Sequence, residues 1–223
     1  MEARGGPQRI PRPANAREGS PPPWADLEAS KRRLTLDQVR TAVAALRRPR
    51  RSPLEGTGVR ASAVLIPLYE LDGEVYVVLT RRAWHLRSHQ GEVSFPGGAV
   101  EPGESHRAAA LRESFEETRL PPGDVEVIGE LDHLQTVTSL SYIVPFVGAL
   151  RSRPELSANP DEVDKILHVP LSELLLPEVF REERWGLAPL DHTLCFFELH
   201  GDTVWGATAH MLCELLAVLT RGC

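Results

Sequence analysis

The stretch Gly97-Gly98-Ala99-Val100-Glu101-Pro102-Gly103-Glu104-Ser105-His106-Arg107-Ala108-Ala109-Ala110-Leu111-Arg112-Glu113-Ser114-Phe115-Glu116-Glu117-Thr118-Arg119-Leu120 decides how the rest of the chain is read. Gly97, Gly98 and Gly103, with Pro102, mark a tight loop, because glycine alone reaches positive φ at little steric cost. Ser105 is placed to cap a helix, and the run rich in alanine, leucine and glutamate behind it predicts helix to about Thr118. At roughly 100° per residue, Ala108, Leu111 and Phe115 share an apolar stripe. Glu113, Glu116 and Glu117 fall on another face at i, i+3 and i+4, where like charges repel by about a few tenths of a kcal/mol per pair. A solvated acidic face is the plain reading of such a run. The glycine turn feeding straight into the helix, with Arg112 beside Glu113, points instead to an all-oxygen cluster for a hard divalent cation, Mg²⁺ or Mn²⁺.

Read from Gly98, the segment runs through five residues to Glu104, seven to Arg112-Glu113, two to Glu116-Glu117, and two more to Leu120. This pattern resembles the Nudix box, the signature of hydrolases acting on a nucleoside diphosphate linked to another group. Two positions depart from it. Ser114 stands where the family has an aliphatic residue, and Arg119 replaces a glycine near the helix end, where a left-handed residue costs arginine roughly 1 kcal/mol. Neither departure touches a carboxylate. The resemblance implies that Glu113, Glu116, Glu117 and the Gly98 carbonyl hold the cation. It implies further that Glu113 doubles as a candidate base and that Arg112 and Glu104 form an orienting pair.

A second motif stands immediately before the box. Leu79-Thr80-Arg81-Arg82-Ala83, then Arg87, Gly91 and Phe95-Pro96-Gly97-Gly98, are similar to the extra signature of the coenzyme A diphosphatase branch of that family, with Val78 in place of a usual leucine. The late run Val204-Trp205-Gly206-Ala207-Thr208-Ala209 looks like the same branch, so the resemblance covers about residues 60 to 220. Arg81, Arg82 and Arg87 are candidate substrate-binding residues, since guanidinium groups pair well with phosphates. The competing reading is a charged strand end making weak surface ion pairs. Trp84, Phe95 and Trp205 are read as core residues. His85 and His89 are left open between substrate contact and local hydrogen bonding, and His133 and Cys213 are read as ordinary packing residues.

With 223 residues, 42% of them hydrophobic, the chain is long enough for one sizeable core. No apolar run approaches the ~20 residues of a membrane-spanning helix, and no secretory leader opens the chain, so cytoplasmic placement is expected. Cys195, Cys213 and Cys223 are odd in number and form no Cys-x-x-Cys, so neither a disulfide framework nor a zinc site is expected. Residues 1–60 hold 13 Lys/Arg against 6 Asp/Glu, net +7, while the remainder holds 12 against 25, net −13. A basic arm on an acidic body suits nucleic acid or a membrane surface, but more commonly it is a solvated tail.

Residues 1–33 are accordingly read as a disordered, Pro/Arg-rich extension, 34–57 as a helix with a linker, and 58–223 as the catalytic domain. Thr35 caps a predicted helix from Leu36 to about Arg48, stopped by Pro49. Strands are predicted over Ala61–Leu71 (broken at Pro67), Glu74–Arg81, Glu92–Phe95, Val125–Leu131, Tyr142–Leu150, Val163–Val169, Leu194–Leu199 and Thr203–Trp205. A short helix begins at Leu171 and a closing helix spans about Ala207–Leu219. This order gives an α+β fold, in keeping with the α/β/α sandwich and mixed central sheet that the Nudix resemblance implies.

The expected activity is metal-dependent hydrolysis of the pyrophosphate bond of coenzyme A or a derivative, giving 3′,5′-ADP and 4′-phosphopantetheine. Two alternatives stand beside it: hydrolysis of another substrate such as ADP-ribose, NADH or capped RNA, and a non-catalytic regulator that binds nucleotide or nucleic acid. The expected partner is a small molecule, with neither membrane nor nucleic acid; a homodimer is left open.

Overall fold

The computed structural model describes residues 4–136, 141–187 and 191–221. Its central sheet is built from β2 (Ala61–Leu71), β3 (Glu74–Arg82), β4 (Val93–Ser94), β5 (Gly97–Ala99), β6 (Val125–Glu130), β7 (Leu134–Thr136), β8 (Ser141–Leu150) and β9 (Val163–Pro170). The main path runs β4-β3-β2-β8-β6, with β5 on β2, β7 on β8 and β9 on β3. β2 and β8 are parallel and the other pairs antiparallel, so the sheet is mixed. Asp72 and Gly73, at φ 52° and 73°, form the tight β2–β3 hairpin. Contrary to expectation, Pro67 does not break β2. It lies in the gap on one side of the strand between pairing with β5, which ends at Val64, and pairing with β3, which begins at Leu68.

Side chains alternate across the sheet. Ala63, Leu65, Tyr69 and Val78 pack on one face with Ala109 and Ala110 of α2 (His106–Thr118). Val64, Ile66, Leu68, Val77 and Leu79 pack on the other, with α1 (Leu36–Ala44) and α4 (Gly206–Thr220). The result is the α+β sandwich expected. A four-residue helix, α3 (Leu171–Leu174), follows β9 directly. The Thr35 cap forms as read, but α1 stops at Ala44, and Arg47 and Arg50 beyond it reach Asp132 at 3.2 and 2.6 Å.

Two features depart from the sequence reading. A second, four-stranded sheet of order β1-β10-β11-β12 is made from β1 (Arg17–Glu18), β10 (Phe180–Trp185), β11 (His192–Leu199) and β12 (Asp202–Trp205). β10 is too charged to read as a strand alone: Arg181 and Glu183 pair with each other and with the distant partners Glu198 and Arg12. The basic extension expected to be disordered lies, from Arg4 onward, along this sheet. Gly5 N–H donates to Leu199 O at 2.8 Å, Arg12 pairs with Glu183, Arg17–Glu18 joins β10, and buried Trp24 packs edge-on to Phe180 at 5.3 Å. Arg4, Arg12, Arg17 and Arg33 are matched by carboxylates of the acidic body, which turns the charge asymmetry into a docking interaction.

Candidate active site

α2 starts where Ser105 Oγ accepts the Ala108 N–H at 3.2 Å, and ends at Arg119. Arg119 adopts the left-handed conformation (φ 61°, ψ 21°) that the family's glycine would supply, and its guanidinium lies 5.6 Å from the Phe115 ring centroid. The helix is rotated from the expected stripe. Ala109, Ala110, Ser114, Glu117 and Thr118 are buried, Leu111 is half-buried, Ala108 is exposed, and Phe115 is 40% exposed. Small residues face the sheet because the helix lies close against β2 and β5, leaving no room there for a phenyl ring.

Arg112 is the hub of the acidic face. All five of its N–H donors are used: Nε and Nη2 grip the Glu104 carboxylate at 3.0 Å each, Nη1 reaches Glu113 at 3.0 Å and Glu116 at 3.2 Å, and Nη2 also holds Ala99 O at 3.0 Å. Arg112 and the Glu101 N–H hold the Glu104 carboxyl below the usual carboxylate range. Burial pushes Glu113 upward, against the pull of Arg112. A Cβ on Gly98 would fall 2.5 Å from the Glu113 carboxyl carbon, so glycine there is the condition for this approach.

Glu117 lies deeper, 5% exposed. It accepts the Gly97 N–H, but its Oε2 is buried with no hydrogen-bond partner. Burial, with the nearby charge of Glu162, pushes its pKa up to about 8. Such a group is stabilised either by a proton or by a cation. Among the described residues no three His, Cys, Asp or Glu groups converge as they stand to hold an ion, since Arg112 draws both Glu113 and Glu116 toward itself. The donor chemistry nonetheless fits a hard divalent cation: the three carboxylates sit within one turn of helix, and the innermost oxygen is unsatisfied.

The three candidate arginines separate. Neighbours on β3 point to opposite faces. Arg81 turns away from α2 and is bound by Asp164 at 2.8 Å and by Asp202 at 3.0 Å. Arg82 faces α2, close enough for its charge to lower the Glu117 pKa, and its Nε is buried without a hydrogen-bond partner. Arg87 is exposed on the 83–92 loop.

Phe95 is buried as read, but Trp84 is 39% exposed and lies over the Gly91 Cα, while Trp205 is half-buried. His89 Nδ1 bonds Glu92 at 2.7 Å, and His133 bonds Glu130 at 2.8 Å. Glu162 is the site residue missed from sequence. It precedes β9, and its charge reaches both Glu113 and Glu117; the acidic run Asp161-Glu162-Val163-Asp164 was its only signal.

A sheet sandwich carrying this glycine turn and acidic helix defines a class of hydrolase, and a model of the NUDIX domain matches residues 59–190. The chain belongs to the Nudix hydrolases, pyrophosphohydrolases that act on phosphorus-containing anhydrides and generally need divalent metal ions. It is 36% identical over 177 residues to Nudix hydrolase 3 of Caenorhabditis elegans, covering 71% of this chain and 73% of that protein. It is 37% identical over 191 residues to the uncharacterized Nudix hydrolase NudL of Salmonella typhimurium, covering 82% and 94%. Among solved structures, a MutT/nudix family protein from Enterococcus faecalis superposes with a TM-score of 0.52 at 17% identity, covering 81% of this chain and 68% of that one, a likeness of fold. Among the described residues no helix is long and apolar enough to cross a membrane.

Proposed function

We propose that the protein hydrolyses the pyrophosphate bond of coenzyme A or a derivative, releasing 3′,5′-ADP and 4′-phosphopantetheine (or its acyl form). The observation that carries this reading is that two charged groups on the α2 face of the sheet, Glu117 and Arg82, each bury an atom with no hydrogen-bond partner, Oε2 and Nε. One calls for a cation and the other for an anion, and a metal-bound diphosphate supplies both. The Arg82-Ala83, Arg87 and Gly91 spacing that resembles the coenzyme A diphosphatase signature directs the choice of substrate.

Glu113, Glu116, Glu117 and the Gly98 carbonyl would hold Mg²⁺ or Mn²⁺, which when bound lowers the pKa of water and offsets phosphoryl charge. Arg112 and Glu104 fix the carboxylates in place. Arg82 and Arg87 pair with phosphate oxygens, a role from which Arg81 is withdrawn by its two aspartates. Glu113, with Glu162 nearby, takes the proton as water adds to phosphorus and the bridging P–O bond breaks.

Product analysis over a panel of coenzyme A, acyl-coenzyme A, ADP-ribose and NADH, with Mg²⁺ or Mn²⁺, tests the reading. Coenzyme A or its thioesters should give the highest kcat/KM, with adenosine 3′,5′-bisphosphate as product. Equal or faster hydrolysis of ADP-ribose would overturn the substrate assignment while leaving the hydrolase in place.

A further inference from the structure

The amide of Gln8, far from the acidic helix in sequence, is buried between three parts of the fold. Its Nε2 donates to Gly91 O at 3.0 Å and to Asp202 Oδ1 at 2.9 Å, and its Oε1 accepts the Thr203 N–H at 2.8 Å. Two carbonyl or carboxylate acceptors and one N–H donor leave only one orientation for the amide. Asp202 Oδ1 is shared with Arg81 Nη1, and Lys165 lies 3.7 Å from Oδ2. Gly91 closes the 83–92 loop by donating its N–H to Arg82 O at 3.2 Å. Its φ is +67°, and a Cβ there would sit 2.2 Å from the Trp84 ring. One side chain of the N-terminal arm thus fixes the end of the loop that carries Arg87, and through Asp202 it secures β3 beside Arg82.

We infer that Gln8 is a positioning residue: the N-terminal arm uses its amide to hold the 83–91 loop in the geometry that presents Arg82 and Arg87 to the substrate phosphates. This rests on the diphosphate-binding reading above. A neutral amide is the group the place requires. A carboxylate would be set against Asp202, and an aliphatic chain would leave Gly91 O, Thr203 N–H and part of Asp202 unsatisfied.

The test uses full-length Gln8→Leu with two readouts. Hydrogen exchange should become faster across residues 84–91, while the buried strand β2 and helix α4 keep their protection. On coenzyme A, KM should rise about tenfold with kcat within about twofold, as for lost binding shared by ground and transition states. The rise should be non-additive with that of Arg87→Ala in a double-mutant cycle. Unchanged exchange in 84–91, or additive effects with Arg87→Ala, would overturn the inference. If wild-type protein hydrolyses no nucleotide diphosphate, the functional reading fails, and the exchange result alone decides whether the arm holds the loop.

Discussion

Two buried carboxylates on opposite faces of one sheet are treated differently. Asp202, 0% exposed, has Oδ1 bound by both Arg81 and Gln8, and its Oδ2, which accepts no hydrogen bond, lies 3.7 Å from the Lys165 ammonium. Glu117, 5% exposed, has the Gly97 N–H and an oxygen with no hydrogen-bond partner, and its neighbouring charges are two further glutamates and the guanidinium of Arg82. A charge removed from water is expensive unless its surroundings return what hydration gave. Around Asp202 two donors and a nearby ammonium return most of it, and the carboxylate pins the arm and β12 to β3. Around Glu117 two glutamates outweigh the one guanidinium of Arg82, and a proton or, as proposed above, a cation would balance the site. The contrast separates a carboxylate met by cations and an amide from one set among carboxylates, and it sorts Arg81, paired with two aspartates, from Arg82, whose Nε has no hydrogen-bond partner.

The contrast can be broken at each end. Asp202→Ala leaves Arg81 to Asp164 alone and the Gln8 amide short of an acceptor, and should destabilise the fold by about 3 kcal/mol, lowering Tm by roughly 10 °C in a thermal scan; a shift below a degree or two would remove Asp202 from the frame. Glu117→Gln should lower turnover roughly 10²–10³-fold, the scale of losing one main electrostatic group, while circular dichroism stays native. Arg82→Ala should raise KM about tenfold, whereas Arg81→Ala should mainly lower Tm, in steady-state kinetics and melting on the same preparations. The reverse pattern would exchange their roles.

The smallest effect concerns pH. Because the Glu117 pKa is raised to about 8 in the fold from 4.5, the folded state keeps its proton longer than the unfolded chain does. Stability from this group therefore falls as pH rises from about 4.5 to 8 and is level above that. In metal-free protein, Glu117→Gln should raise Tm at pH 9 and leave it nearly unchanged at pH 5. Equal shifts at both pH values would mean that Glu117 is not ionising in a buried site.

The glycine turn, the helix and its glutamates were legible because identity at fixed spacing survives without tertiary information. The stripe Ala108–Leu111–Phe115 misled because hydrophobicity alone does not register how closely a helix approaches its sheet; the buried face is Ala109, Ala110, Ser114, Glu117 and Thr118, with no large apolar side chain. The separation of Arg81 from Arg82 was latent in the alternation of β3, whose Leu79 and Arg81 share one face, and Thr80 and Arg82 the other. The arm was not readable. Its order comes from contacts such as Gln8–Asp202 and Arg12–Glu183, across most of the chain, and no local pattern announces them. The strand Phe180–Trp185 was hidden by the same charges that those contacts neutralise.

The central claim is that Glu117 lacks a partner because a divalent cation completes it. Titrating Mn²⁺ into wild-type protein and Glu117→Gln, with free Mn²⁺ followed by its paramagnetic resonance signal, addresses that directly. Binding to wild type, weakened at least about tenfold in the variant, is the predicted result. Equal Mn²⁺ affinity in the two proteins would contradict it.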